Sequence, residues 1–202
     1  MNNFLNTSVF LAALIGATAI HAQTSETNDN TVTVEAEESE LSLGEEATPR
    51  VGETYIKEVF GDWKMRCVIV EEGAEPCQLY QLLMDSNENS VAEAILFPLS
   101  DGGKAKAGMT ITTPLETLLT AQLTMNVDDA PGRRYPYSWC SQVGCFVRLG
   151  LTAEDLAAFK KGVRANISVV PAQEQAQPVN LALSLTGFTA AYAAIVAATP
   201  EQ

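Results

Sequence analysis

Cysteines carry the most specific chemistry in this 202-residue chain, and they fall in two close pairs. Cys67 and Cys77 flank a turn-like EEGAEP segment, and Cys140 and Cys145 flank Ser-Gln-Val-Gly. Neighbour pairing, Cys67 with Cys77 and Cys140 with Cys145, is the cheapest of three connectivities because each loop closes locally. Each bridge would then contribute about 2–3 kcal/mol by constraining the unfolded chain. Redox catalysis would need an attacking thiol of depressed pKa, usually in Cys-x-x-Cys at a helix start, and neither spacing fits. A zinc site would need four thiolates in a reducing compartment, so the cysteines read as structural disulfides.

The second chemical signal is an absence. The only histidine is His21, and it sits in a segment expected to be removed. Without imidazole there is no Ser-His-Asp triad, no Cys-His dyad and no histidine metal site. Carboxylate pairs alone can hydrolyse glycosidic bonds, but Asp62, Glu93 and Glu116 are scattered without telling context. Asp128-Asp129 precedes Ala-Pro-Gly and reads as a turn, lacking the alternating acids of a calcium loop. Gly102-Gly103-Lys104 lacks the remaining residues of a phosphate loop and reads as a hairpin turn. Met65, Met84, Met109 and Met125 lie in separate strand patterns, which favours core filling over copper binding. No catalytic residue, metal or cofactor is expected.

One stretch remains as a candidate binding surface: Arg133, Arg134, Tyr135, Tyr137 and Trp139, joined by the distant Trp63. Arginine and large aromatics are enriched at binding hot spots. The plainer reading is that Tyr135, Tyr137 and Trp139 alternate inward as a core strand and leave the arginines solvated.

These residues must be positioned by a fold, and the chain changes character along its length. Residues 1–22 read as a secretory signal peptide, with an apolar run from about Val9 to Ile20 and cleavage near Ala22. That run falls short of the roughly 20 residues of a spanning helix. Residues 23–50 contain eight acidic side chains, one arginine and no aromatic, which predicts a disordered acidic spacer. The spacer is read as a solubilising linker. Of the net charge of −13, the spacer holds −7, so the body is mildly acidic at −6 and nucleic acid is an unsuitable ligand.

From Val51 onward, short apolar or alternating runs predict strands over residues 65–70, 77–84, 91–97, 109–112, 122–127, 145–149, 163–170 and 179–185. Turn chemistry separates them, as at Asp85-Ser86-Asn87. The class implied is all-β, an antiparallel sandwich or barrel. One inserted helix is signalled by Thr152 as N-cap, Asp155 in the capping-box position, and Leu151 with Leu156 as hydrophobic staple. Lys160 and Lys161 suit its last turn and Gly162 its end. A second short helix is expected over residues 187–198, with Phe188, Tyr192 and Ile195 on one face.

The segments FGDWKMRC, PCQLYQLLMD, SWCSQVGC, LTAEDLAAFKKG and PVNLALSLTGFTAAYAAI, in that order, resemble the invasion-associated locus B family. The resemblance covers residues 51–198 and leaves the acidic spacer outside. It implies an immunoglobulin-like antiparallel β-sandwich exported to the envelope of a Gram-negative bacterium, periplasmic or secreted, with disulfides and no catalytic activity. The function expected is a non-catalytic interaction module for a protein or envelope partner, linked to host-cell invasion or virulence. The alternatives are a histidine-free, carboxylate-dependent hydrolase of envelope polymers and a purely structural or stress-related periplasmic protein. Thiol titration of the unreduced, exported protein should detect no free sulfhydryl; an appreciable titre would remove the disulfide reading.

Overall fold

The computed structural model describes residue 42, residues 44–100 and residues 103–199. The chain divides into two units, Met1–Glu45 and Glu46–Gln202. Of the first, only residues 42, 44 and 45 are described, as exposed irregular chain. The expected signal peptide, and all of the acidic spacer except residues 42 and 44–50, lie outside the described residues.

Every regular element among the described residues belongs to the second unit. Strands β1 (Thr54–Phe60), β2 (Trp63–Val68), β3 (Cys77–Met84), β4 (Ser90–Pro98) and β5 (Ala105–Thr113) come first. A turn of 3-10 helix at Leu119–Ala121 precedes β6 (Leu123–Val127), β7 (Arg133–Tyr135), β8 (Trp139–Ser141) and β9 (Gly144–Thr152). Helix α1 (Ala153–Lys161), strands β10 (Arg164–Val169) and β11 (Val179–Ser184), and helix α2 (Phe188–Ala198) complete the order. All pairing is antiparallel, and the fold is all-β with two short helices.

The strands form one hydrogen-bonded network in the order β7-β6-β10-β11-β3-β4-β5-β9-β8, with β1 and β2 branching from β3. The network forks at β3. One edge of β3 pairs with β4 over residues 79–84. The other edge is shared, residues 77–80 pairing with β2 and Met84 with Ala182 of β11. The sheet curls so that β7 approaches β9 near its other end.

A fork exposes backbone polar groups where strands part, and these must find partners. Gln81, only 5% exposed, supplies them. Its side-chain amide donates to the Ser184 carbonyl (3.0 Å), and its carbonyl accepts from the Ser184 N–H (2.7 Å). The Trp63 indole N–H donates to the same Ser184 carbonyl at 2.9 Å. Trp63 is fully buried and meets Phe188 of α2, whose ring contacts Phe159 of α1. Both helices thus close the interior of the curled sheet with aromatic side chains.

Local signals place the helices. Thr152 Oγ1 accepts from the Asp155 N–H, and the Asp155 carboxylate accepts from the Thr152 N–H, a complete capping box. Leu151 and Leu156 are both buried, as a staple requires. Gly162 ends α1 at a negative φ of −74°. Glycine is needed there for space, since a Cβ would lie 2.6 Å from Val127 Cγ1. Gly187 precedes α2 in the left-handed region (φ 82°) and abuts the Phe60 carbonyl.

Three strands escape the sequence reading. In β1 the register slips between Ile56 and Glu58, which breaks the period of two that marks a strand. Strands β7 and β8 come from a stretch that reads as one strand but is divided around Pro136, which has no N–H for a ladder.

Two variants test these contacts. Gln81→Leu leaves the Ser184 N–H without its partner and the Ser184 carbonyl with the Trp63 indole alone, and should destabilise the protein by about 1–3 kcal/mol in urea unfolding. Glu75 accepts from Tyr55 Oη (2.6 Å) and Lys57 Nζ (3.0 Å), and these bonds, Tyr55 first, hold its carboxyl below the ordinary glutamate range. Its contribution is therefore complete above that range and disappears as pH falls through the lowered folded value. The stability difference between the native chain and Glu75→Gln should be largest near neutrality and shrink toward zero on acidification.

Candidate functional site

The stretch Arg133–Trp139 supplies residues to two different places. Arg133 and Arg134 lie on β7, paired with β6, whereas Trp139 lies on β8, paired with Phe146 of β9. Arg133 makes an ion pair within the chain while its side chain stays 58% exposed. Its Nη1 lies 2.8 Å from Asp155 Oδ1, tying β7 to the first turn of α1. The Asp155 charge raises the Arg133 pKa, and Asp155 is also the acid of the capping box. Tyr135 is half-buried and lines a cleft of ≈370 Å³ between the β6–β7 hairpin and α1. Arg134 faces solvent opposite Thr124.

Tyr137 is half-buried against the core. Burial pushes its phenol pKa up, with the Thr113 and Thr117 hydroxyls opposing that shift. Its buried Oη makes no hydrogen bond, and the nearby Thr117 hydroxyl lies 2.7 Å from Pro114 O. Tyr135 and Tyr137 therefore follow the plain core reading, and Trp139 departs from it.

Trp139 is 47% exposed. One face stacks on Phe146, with ring centroids 5.0 Å apart and planes inclined by 19°. The other tryptophan requires a correction: Trp63, grouped with the candidate surface by residue type, is fully buried and bonded to Ser184, so it can touch no partner.

Disulfides brace the neighbourhood. Cys140 pairs with Cys145 and Cys67 with Cys77, each between directly opposed residues of adjacent strands. Cys145 is buried and Cys140 exposed, so the second bridge pins the β8–β9 hairpin to the core. Val143, 79% exposed, projects from the hairpin tip.

Period-two alternation assigns the rest of the outer face, the side turned away from the core. On β9, Cys145, Val147, Leu149 and Leu151 point inward, while Phe146 and Arg148 point outward. Across the sheet, Arg148 opposes Thr110 of β5, which opposes Ile95 of β4. Phe97 opposes Gly108, which opposes Gly150. Sequence reading missed Phe97 and Arg148 as residues of this face. The alternation of β9 could have flagged Arg148, but its adjacency to Phe97 depends on the strand order.

Other candidates are placed apart or in structural roles. Asp62 accepts from Ser184 Oγ at 2.6 Å, and Glu93 lines a shallow cavity that neither Asp62 nor Glu116 lines. Asp128 adopts a positive φ (46°), and its carboxylate accepts from the N–H groups of Val163 and Arg164. This is a turn that anchors the start of β10. Met65, Met109 and Met125 are buried and Met84 is exposed. Part of the Gly102-Gly103-Lys104 turn lies outside the described residues. Among the described residues, no cluster of three His, Cys, Asp or Glu side chains could hold a metal ion.

Comparison with known proteins agrees with this architecture. Residues 63–196 match the family model described as invasion associated locus B protein. Two Invasion protein B homologs, from Brucella abortus strain 2308 and B. abortus biovar 1 strain 9-941, are each 26% identical over 148 residues. Each alignment covers 73% of this chain and 83% of the relative. The crystal structure of invasion associated protein B from Bartonella henselae superposes with a TM-score of 0.57 at 22% identity. That match covers 69% of this chain and 94% of the other, and it concerns the fold. With the family pattern running from the start of β2 into α2, the chain belongs to the invasion-associated locus B family.

Proposed function

We propose that this protein is an exported, non-catalytic interaction module of the bacterial envelope. Its contact surface is the outer sheet face that carries Trp139. The observation that carries the reading is the half-exposed Trp139 ring, held flat against Phe146 on a hairpin pinned by Cys140–Cys145. A rigid aromatic loses little conformational entropy on binding and presents a large area, which is why tryptophan is frequent at hot spots. Two disulfides suit an oxidising compartment, and no described helix is long and apolar enough to cross a membrane. Export uses residues 1–22, with cleavage near Ala22, and residues 23–50 act as a solubilising acidic linker. The relatives' name, Invasion protein B homolog, makes contact with a host cell the setting in which this surface would act.

The surface differs from the one read from sequence. Arg133 pairs with Asp155 and Trp63 lies in the interior. Arg134 remains solvent-facing but lies on β7, beyond the hairpin that carries Trp139.

Photo-cross-linking in intact cells tests the reading. A cross-linker at position 143 should give discrete adducts, whereas one at the similarly exposed position 163 should not; equal labelling would remove the proposed surface. Trp139→Ala should abolish the adducts while costing only about 0.5–1.5 kcal/mol of stability, the worth of an aromatic pair. Trp63→Ala should cost about 3–5 kcal/mol, as for a buried aromatic. Fractionation should place the protein outside the cytosol with its thiols oxidised; a reduced cytosolic pool would refute export.

A further inference from the structure

The outer face carries a trough of ≈390 Å³ whose lining includes Phe97, Gly108, Ser138, Trp139, Arg148 and Gly150. Gly108 and Gly150 oppose each other on β5 and β9, and the Phe97 ring covers the buried Gly108. Glycine is obligatory at position 108, since a Cβ would lie 2.5 Å from Phe97 Cζ. The Phe97 ring thus lies across β5 as one wall. Ser138 and Trp139 form the other, and Arg148 extends from β9. The volume lies in the range of small-ligand clefts.

Of the sheet's arginines, Arg134, Arg148 and Arg164 have no ion pair among the described residues, and of these three Arg148 lines the trough. Arg66 lies over the Tyr80 ring and Arg133 pairs with Asp155. Arg148 is exposed and has no acidic partner among the described residues. A flat aromatic face and a guanidinium with no ion pair therefore line the same trough.

We propose that this trough binds a carboxylate-bearing pyranose, a uronic acid unit of an acidic glycan. The sugar's C–H face lies on the open side of Trp139, and its carboxylate lies on the Arg148 guanidinium. The negative face of an indole attracts polarised C–H groups, and the planar guanidinium matches a carboxylate with two parallel hydrogen bonds. Ser138 adds a hydroxyl suited to a sugar hydroxyl. An extended acidic peptide fits less well. Peptides add to sheets through free backbone groups, and β4 and β5 are each paired with a strand on both sides.

The inference rests on the outer face being the contact surface and deepens that reading by naming the ligand class. The test is calorimetric titration of the purified protein with a hyaluronan hexasaccharide, which alternates glucuronate with N-acetylglucosamine. Chitohexaose, which lacks the carboxylate, is the comparison. The uronate oligosaccharide should bind at least about tenfold more tightly, the size of one charge-assisted hydrogen bond. Arg148→Gln should erase that preference, Trp139→Ala should abolish binding of both, and Arg134→Gln should change neither. Equal affinity for the two saccharides, no binding of hyaluronan, or an unaltered preference in Arg148→Gln would overturn the proposal. So would displacement by poly-L-glutamate as effective as that by hyaluronan, which would mark a carboxylate site without sugar recognition. Absent saccharide binding with adducts retained at position 143 would overturn this inference alone. Saccharide binding without those adducts would leave it standing and refute the contact surface assigned by cross-linking.

Discussion

The fold depends on how the backbone is satisfied where the sheet divides. Strand β3 serves three neighbours, and β11 touches it through one residue pair only. The Ser184 N–H would be unpaired but for the Gln81 side-chain carbonyl, and the Gln81 amide also donates to the Ser184 carbonyl. Trp63 adds a second donor to the same carbonyl while its ring begins the aromatic contacts that continue through Phe188 to Phe159. One polar side chain and one indole thus join the two branches of the sheet to the helices that close it. Unmade hydrogen bonds cost more in an apolar interior than made ones contribute, so this junction constrains everything packed around it.

The disulfides act at a shorter range. Each links directly opposed residues of adjacent strands and closes a loop of ten or five residues. Neither ties the two branches together. Their work is local: one secures β2 to β3 beside the fork, and the other secures the hairpin that displays Trp139. The long-range arrangement is left to apolar burial and to the Gln81–Ser184 pairing, while the sulfur bridges rigidify the segments nearest the surface loops.

The hairpin bridge holds Trp139 in place at the surface. Of the acids considered for a dyad, Asp62 accepts from Ser184, and Glu93 lines a cavity that neither Asp62 nor Glu116 lines. The outer face carries a braced aromatic and a cation that line one trough. Interaction energy at such a surface comes from preformed shape, because little has to be ordered on binding.

Much of this was legible in the residues themselves. The bounds of β3, the capping box and staple of α1, the aromatic face of α2 and the Asp128 turn are local features, determined by contacts within a few positions. Neighbour pairing of the cysteines follows from the same short loops. What the sequence could not determine is which faces and edges come together. Alternation says that a strand has two sides but not which strand lies beside it, so the row from Phe97 through Gly108 to Gly150 is invisible until β4, β5 and β9 are placed in order. The two tryptophans look equivalent in sequence, and only packing made one an interior anchor and the other a surface ring. The division of Arg133–Trp139 at Pro136, and the capture of Arg133 by an acid 22 positions away, were likewise decided by tertiary structure. Burial and pairing at a distance are properties of the assembled sheet, whereas caps, turns and short loops are properties of the chain.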